Sequence, residues 1–465
     1  MHSLTARTLR PLRSLLNFRS ELFASTFSYG LTAVIKLASS LVLTRLLDPT
    51  AYGIFGILLS VLFVIELVSD VGTTGLLIRH PRGDERAFVH TLWTIRLIRS
   101  VINCAILFLA APLVAALYHT AALTNALRLL SVWFLLTGLE SLSFGLCIRH
   151  QRARVSNYTE MASNTAMTLF VIGMAFVLKN HYALILGALL QRLLIAAASH
   201  FYYRDIGIGF AFDREAMRAQ FGFARFVVPS SILTVVLSQY DKIVLARLFA
   251  MSVVGLYTIA GNMLAPLSGI IVHNARFVLY GRCSHYFRSG NAELAAKRYY
   301  SENVKLFLVG VLPAAMVAGS APLIVSILYD PRYAAAGHIL TFLAFGVMLG
   351  AFQNASENLL VASGSTHAVL GGNIARLCSS LPAAFLGYYL GGLEGFLWFT
   401  MCANLIPLLY YWWEQRRKRL LDLRKELAYL GLGVAAFLVS FAVGHLLLAI
   451  IPSQWLHLGI RRHAG

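Results

Sequence analysis

The stretch TRLLDPTAYGIF at residues 44–55 returns in degenerate form 202 residues later as ARLFAMSVVGLY at 246–257. The matching positions are 44–47 and 52–55 in the first copy. Each copy lies between two long apolar segments, so the first and second predicted spans correspond to the seventh and eighth. Six spans separate the copies, an even number, which gives both the same orientation in a membrane. Parallel repeats of this kind are typical of transporters built from two facing lobes.

The composition places the chain in a membrane. Of its 465 residues, 58% are hydrophobic and only 13% are charged, and the mean hydropathy is +0.70. Soluble domains carry about 25% charged residues, and several apolar runs here exceed the roughly 18 residues that span a bilayer. A backbone in lipid must satisfy its own hydrogen bonds, so runs of this length predict helices. The sequence therefore predicts an all-α integral membrane protein.

The net charge of +19 follows from the membrane topology. Lys and Arg gather in short loops on alternate sides of the apolar segments, as the positive-inside rule expects. This pattern predicts a multi-pass membrane protein with a cytoplasmic N-terminus, and it argues against nucleic acid as a partner. Membrane lipid is the expected surrounding. The Cys, His and acidic residues show no spacing typical of a metal site, so no metal and no other cofactor is predicted.

We predict thirteen spans that form two six-helix lobes and an additional C-terminal helix. The predicted segments are a basic cytoplasmic N-terminus at 1–21, an N-lobe at 22–203, a cytoplasmic linker at 204–222, a C-lobe at 223–413, a basic cytoplasmic segment at 414–427, an additional helix at 428–451 and a tail at 452–465.

Three cations inside predicted spans are candidates for binding an anionic headgroup. A charge at the bilayer centre costs roughly 2.5–3.5 kcal/mol, so such residues usually face a cavity or a partner. Lys36, Lys242 and Arg376 lie in otherwise apolar spans, and Arg and Lys suit a pyrophosphate. The alternative is a structural salt bridge, in which Asp70 or Asp241 holds Lys36 or Lys242. For Arg96 and Arg99 near one end of the third span, we expect snorkelling toward the cytoplasmic surface.

Carboxylates within the spans are candidates for ion coupling. Asp70, Asp241 and Glu357 are the predicted sites, because a carboxylate shielded from water can titrate near neutral pH. We expect coupling to H⁺ or Na⁺. The chain has no HExxH, P-loop or GxSxG motif, and the predicted outer loops are too short for a catalytic domain. It is therefore predicted not to be an enzyme.

Several short motifs resemble one known family. The hairpin at 44–53, the run Asp70-Val71-Gly72 and the stretches 88–99, 240–245 and 392–395 are similar to polysaccharide exporters of the Wzx type. That family belongs to the superfamily of multidrug, oligosaccharidyl-lipid and polysaccharide carriers, which also holds MATE extruders and lipid II flippases. The resemblance covers about 20–415, and the helix after the second lobe departs from the family's twelve-span pattern.

The resemblance implies a fold of two six-helix bundles and a flippase function in the bacterial inner membrane. The cargo would be an oligosaccharide on undecaprenyl pyrophosphate, moved by alternating access for exopolysaccharide or O-antigen assembly. The implied partners are the lipid-linked oligosaccharide and the polysaccharide polymerase and glycosyltransferases of the same pathway. A cation-coupled multidrug extruder of the same fold is the alternative, although the Lys and Arg within the spans argue against it. A membrane glycosyltransferase or polymerase is the third hypothesis.

Overall fold

The computed structural model describes residues 30–450 apart from 33, 151 and 204–207. The predicted N-terminal segment 1–21, the tail 452–465 and the linker residues 204–207 lie outside the described residues. The described residues form helices and no strands, and eleven of these helices are long and apolar enough to cross a membrane. The prediction of an all-α integral membrane fold is confirmed.

The chain divides into two compact units. Unit 1 comprises the residues up to Leu47 together with Ile57–Val235, and unit 2 comprises Asp48–Gly56 together with the residues from Val236 onward. The helices of unit 1 are α1 at 34–46, most of α2 (Pro49–Val68), α3 (Thr73–Arg79), α4 (Arg86–Leu117), α5 (Ala122–Leu139), α6 (Ser143–Arg149), α7 (Ala153–Leu178), α8 (Tyr182–Ser199) and the first part of α9 (Arg214–Leu248).

Unit 2 is built from the first residues of α2, the end of α9 and eight further helices. These are α10 (Met251–Asn274), α11 (Gly281–Arg288), α12 (Ala292–Leu306), α13 (Leu312–Leu328), α14 (Ala336–Ala362), α15 (Thr366–Ala403), α16 (Leu405–Arg417) and α17 (Leu423–Ile450). The π-helical segments Ala275–Tyr280 and Phe307–Val311 join α10 to α11 and α12 to α13. Non-helical backbone at Gly391 and Gly392 kinks α15.

The additional C-terminal helix, α17, packs along α13. The Ser440 hydroxyl donates a hydrogen bond to the Met316 carbonyl at 2.7 Å. A Cβ atom at Gly319 would lie 2.5 Å from the backbone nitrogen of Phe441. Small residues at such a crossing let two helix backbones approach closely, as in other membrane proteins.

A break separates α2 from α3, where the sequence predicts one continuous span at 52–78. The Gly72 N–H donates a hydrogen bond to Oδ1 of Asp70 at 2.9 Å, and Gly72 has φ 73°. Glycine adopts this left-handed conformation at little cost. The resulting turn ends α2 at Val68, so Asp70 lies in the turn and not within a helix.

Unit 1 contains a second internal repeat. The sequence GLLIRHPR at 75–82 returns as GLCIRHQR at 145–152. The matching parts of α3 and α6 pack against each other. His80 stacks on Phe88 with ring centres 4.4 Å apart, and His150 stacks on Tyr203 at 5.5 Å. The two copies therefore form one paired element at the end of unit 1.

Arg149 from this repeat caps the C-terminus of α3. Its guanidinium donates hydrogen bonds to the carbonyls of Leu77, Ile78 and His80 at 2.8–3.1 Å. The last carbonyls of a helix have no partner within it. A cation near them also interacts favourably with the partial negative charge at the C-terminal end of the helix dipole. Asp84 holds the same guanidinium through an ion pair of 3.0 Å.

Arg82 fixes the segment that enters α9. Its guanidinium forms ion pairs of 2.7 Å with Glu85, Asp213 and Glu215. The Asp213 N–H donates to the Thr91 hydroxyl at 3.0 Å, which ties the same segment to α4. The hydrogen bond from Arg82 lowers the pKa of the Asp213 carboxyl, because it favours the ionised form.

Candidate functional site

Unit 2 contains a cavity of about 300 Å³ bordered by α9, α10, α14 and α15. The aromatic rings of Phe342 and Phe396 form part of its wall. Its polar lining includes Asp241, Tyr257, Gln353, Asn354, Arg376 and Asn404. An apolar wall with a few converging polar groups is typical of ligand sites.

Asp241 is fixed within this cavity by its neighbours. The Tyr257 hydroxyl donates a hydrogen bond to Oδ2 of Asp241 at 2.6 Å. The N–H of Lys242 donates to Oδ1 of the same carboxylate at 2.8 Å. These two bonds hold the carboxylate against the cavity, where it can accept a hydrogen bond or contact a cation.

Arg376 brings a positive charge to the same cavity. Its side chain is half-buried, and its Nε atom is buried without a hydrogen-bond partner among the described residues. The Arg376 charge acts on Glu357, whose carboxylate also lies beside the Tyr411 hydroxyl. The structure thus brings together three of the predicted site residues: Asp241 and Arg376 on the cavity, and Glu357 next to Arg376.

The remaining predicted site residues lie elsewhere. Lys242 is half-buried and is not part of the cavity lining. Lys36 is exposed on α1 in unit 1. Asp70, also in unit 1, accepts the Gly72 N–H and lies 3.6 Å from Arg99.

Unit 1 contains a buried ion network centred on Glu140. One carboxylate oxygen, Oε2, lies 3.0 Å from Arg96 and 2.8 Å from Arg192. Arg192 also donates to the Thr137 hydroxyl at 2.8 Å. The side chains of Glu140, Arg96 and Arg192 are only 10%, 12% and 19% exposed. Glu140 therefore neutralises part of the charge of two neighbouring guanidinium groups.

A second ion pair lies further along α4. Arg99 forms an ion pair of 2.8 Å with Glu66 on α2, and Asn103 donates to the Ser69 hydroxyl at 2.7 Å. The expectation that Arg96 and Arg99 snorkel toward the surface is wrong, because both side chains are largely buried and point to acidic partners, Glu140 just after α5 and Glu66 on α2. A pairing of this kind is the usual way to hold an ionisable group within a membrane segment.

The sequence analysis missed several of the polar residues that the structure brings together. Tyr257 reaches Asp241 from the next helix, and its position in the second copy of the 202-residue repeat was a signal of its importance. Asn404 lies between α15 and α16, where a single amide in an apolar run predicts a helix end or a cavity. No group of three or more His, Cys, Asp or Glu in the described part of the chain could hold a metal ion.

Comparison with known proteins connects the chain to polysaccharide biosynthesis. A sequence profile of the family described as "Polysaccharide biosynthesis protein" matches residues 42–302. The teichuronic acid biosynthesis protein TuaB of Bacillus subtilis (strain 168) is 20% identical over 307 residues, which cover 64% of this chain. The matching part spans 62% of the length of that relative.

Solved structures of membrane transporters have the same fold. The lipid II flippase MurJ in an inward closed conformation matches with a TM-score of 0.71 and 11% identity, over 92% of this chain and 97% of the other. A multidrug resistance MATE family transporter of the MOP superfamily, in an inward-facing conformation, matches with a TM-score of 0.60 and 15% identity, over 90% of this chain and 94% of the other. At these identities the likeness shows the fold alone.

Proposed function

The chain belongs to the family of polysaccharide biosynthesis proteins, and on this premise we propose that it flips an undecaprenyl-pyrophosphate-linked oligosaccharide across the bacterial inner membrane. The flipped glycan would serve exopolysaccharide or O-antigen assembly. The fold shared with flippases and transporters supports movement of cargo by alternating access. It also supports a transporter rather than an enzyme.

The single observation that carries this proposal is the unsatisfied donor of Arg376. A buried polar group left without a partner costs roughly 1–3 kcal/mol. Arg376 leaves its Nε unpartnered among the described residues while it lines a cavity with Gln353 and Asn354. An oxygen-rich anionic ligand would satisfy this donor, and a diphosphate offers several such oxygens.

We assign the predicted residues to two roles. Lys36, Lys242 and Arg376 bind the pyrophosphate, and Arg376 is the one of the three that lines the cavity of unit 2. Asp70, Asp241 and Glu357 couple transport to H⁺ or Na⁺. Asp241 has the strongest support of the three, because it shares its cavity with Arg376 and an ion there would alter the field at the phosphate.

Transport by reconstituted protein tests the proposal. Purified protein in liposomes would receive undecaprenyl pyrophosphate carrying an oligosaccharide, and an impermeant glycosidase would report the glycan exposed on each side. We expect Arg376→Gln to slow transport about tenfold or more, since a hydrogen bond to a charged group contributes about 1.5–3 kcal/mol. Arg247→Gln is the matched control, because Arg247 is an exposed arginine at the end of α9.

Two results would contradict the proposal. Wild-type protein that moves no glycan in this assay would reject the flippase function. Equal glycan transport by wild-type and Arg376→Gln protein would reject the cationic site while keeping the flippase function.

A cation-coupled multidrug extruder is the second candidate. The MATE fold and the Asp241 carboxylate in an aromatic-walled cavity favour it. Expression in a drug-sensitised host separates the two candidates: an extruder raises resistance to cationic drugs such as ethidium, whereas the proposed flippase leaves resistance unchanged.

The proposed orientation places the N-terminus and the basic loops in the cytoplasm. Arg82, Arg149 and the segment entering α9 would then lie on the side where the lipid-linked glycan is assembled. Glycosyltransferases would supply the cargo on that side, and a polysaccharide polymerase would consume it on the other. A variant in which the five native cysteines are replaced and Arg86→Cys supplies the single thiol tests this orientation. We expect an impermeant thiol reagent applied to intact cells to leave that position unlabelled.

A further inference from the structure

We propose that unit 1 carries a binding site for uncharged sugar units in the cavity beside Glu140 and Arg192. The inference rests on the proposed function, whose cargo contains sugars, and it adds a glycan-recognition site that is separate from the Arg376 cavity of unit 2. The argument depends on the shape, the fixed side chains and the charge of the unit 1 cavity.

The cavity has a volume of about 320 Å³, which lies at the lower end of the range of roughly 300–1,000 Å³ for small-molecule sites. It is bordered by the end of α5, the start of α6 and α7, and α8. Trp133, Phe144 and Ile195 give it apolar walls, and Thr159, Glu160 and Gln191 supply polar groups. Apolar faces combined with a few polar side chains are suited to a sugar ring, which has both kinds of surface.

The base of the cavity is rigid. The Arg192 guanidinium pairs with Glu140 at 2.8 Å and donates to the Thr137 hydroxyl at 2.8 Å. It also lies over the Trp133 ring, 4.8 Å from its centre. Three contacts in different directions leave this side chain little freedom. Ligand binding therefore costs little conformational entropy for ordering the Arg192 side chain.

The cavity offers several acceptors that the surrounding side chains hold in place. One N–H of the Gln191 amide donates to Oδ1 of Asn164 at 3.0 Å, which leaves its carbonyl oxygen to accept and its second N–H to donate. The Thr159 hydroxyl donates to the Val155 carbonyl at 2.9 Å, so it too can only accept further bonds. The exposed Glu160 carboxylate is an acceptor when ionised. A sugar hydroxyl can both donate and accept, so it can bond to these acceptors and also to donors such as the Ser156 hydroxyl.

The charges around the cavity favour an uncharged ligand. Two carboxylates, Glu140 and Glu160, and one guanidinium, Arg192, line it, and Arg96 pairs with Glu140 from behind at 3.0 Å. An anion would meet the Glu160 carboxylate, so a phosphate or uronic acid is disfavoured. A metal ion is disfavoured as well, because Glu140 is already held by two guanidinium groups.

The position of the cavity suits cargo loading. It lies where α5 and α8 end and α7 begins, which is the end of unit 1 that carries Arg82 and Arg149. In the proposed orientation this end faces the cytoplasm, where the glycan is attached to its lipid. Sugar binding there would distinguish a glycan-bearing lipid from bare undecaprenyl pyrophosphate before transport.

Calorimetric titration of the purified full-length protein tests the site directly. The probes are glucose, N-acetylglucosamine and glucuronic acid. We expect saturable binding of at least one neutral sugar, at least tenfold tighter than glucuronic acid. Glu160→Gln and Phe144→Leu, which leave the Glu140 network intact, should each weaken binding about tenfold. The control Glu293→Gln alters an exposed carboxylate on α12 and should leave binding unchanged.

Absence of saturable binding for both neutral sugars overturns the site, as does binding that the two cavity variants leave unchanged. Equal melting temperatures of wild-type and variant proteins establish that a loss of binding comes from the cavity and not from misfolding.

Transport in liposomes separates this inference from the proposed function. Wild-type protein should move undecaprenyl pyrophosphate with an oligosaccharide at least tenfold faster than the same lipid without sugar, and Glu160→Gln should reduce that preference. If wild-type protein moves the glycan-bearing lipid and Glu160→Gln keeps the full preference, the sugar site is wrong and the flippase function stands. If wild-type protein moves neither lipid, the flippase function is wrong, and calorimetry alone decides the sugar site.

Discussion

Gly53 on α2 and Gly255 on α10 meet with their backbones in direct contact. A Cβ atom at Gly53 would overlap the carbonyl oxygen of Met251, and a Cβ atom at Gly255 would overlap the carbonyl oxygen of Pro49. The two glycines occupy matching positions of the 202-residue repeat. The two copies of the repeat therefore cross at these glycines, where neither helix has room for a side chain.

Replacing either glycine with alanine should destabilise unit 2. Gly53→Ala or Gly255→Ala forces α2 and α10 apart, and overpacking of this kind costs about 1–3 kcal/mol. Thermal unfolding of the purified protein in detergent measures the effect as a lower melting temperature. Gly261→Ala is the control on the same helix, because a Cβ there meets nothing within 4 Å. An equal change of melting temperature in all three variants would contradict the close contact at this crossing.

The Arg82–Asp213 pair should stabilise unit 1 in a pH-dependent way. Since the folded pKa of Asp213 is lowered, its contribution is present above the unfolded pKa of about 3.9. It is lost as the pH falls through the lower folded value. Asp213→Asn should therefore lower the melting temperature at pH 7, and the difference from wild type should shrink as the pH falls below about 4.

A double-mutant cycle separates this pair from its surroundings. Arg82→Gln should lower the melting temperature at pH 7. Adding Asp213→Asn to that variant should lower the melting temperature by less than Asp213→Asn does in the wild-type protein. Strictly additive effects, or a difference from wild type that stays constant down to pH 3, would argue against the pair.

The Glu140 network gives a third prediction. Glu140→Gln leaves Arg96 and Arg192 close together without the carboxylate that holds both. Breaking a buried ion pair in this way costs about 3–5 kcal/mol. We expect a large drop in the melting temperature, and we expect Glu140→Gln combined with Arg192→Gln to be less harmful than Glu140→Gln alone, because one uncompensated charge is removed. A double variant that is less stable than the single one contradicts this view.

The sequence predicts the membrane helices of this protein well and their internal breaks poorly. Length and hydropathy suffice for a helix such as α4, because the bilayer imposes one physical requirement on every spanning segment. The turn at Gly72 combines a positive φ with a hydrogen bond from the Gly72 N–H to Asp70, and such local features do not interrupt a hydropathy pattern. The three-dimensional structure shows that this glycine adopts the left-handed conformation that ends α2 and begins α3.

The partners of the charged residues were also beyond sequence reasoning. Arg96 and Arg99 share a helix face, but their acidic partners are Glu140, just after α5, and Glu66 on α2. The pattern of one helix does not identify its neighbours. The same holds for Asp241 and Arg376, which lie on different helices and line one cavity. Sequence alone identified each of these residues as unusual in an apolar span, while the pairing depends on how the helices pack.

Asp241 provides the final prediction, which concerns ion coupling. Its carboxylate accepts a hydrogen bond from Tyr257 at 2.6 Å in the cavity that Arg376 also lines. If Asp241 carries the coupling ion, Asp241→Asn should abolish the stimulation of glycan transport by a pH or sodium gradient while keeping slower exchange without a gradient. Tyr257→Phe should keep the stimulation but shift the ion concentration at which it is half-maximal, since the carboxylate loses one hydrogen bond. Glu394→Gln, at an exposed carboxylate, is the control. Full gradient stimulation in Asp241→Asn would exclude this residue from coupling and would leave Glu357 and Asp70 as the candidates.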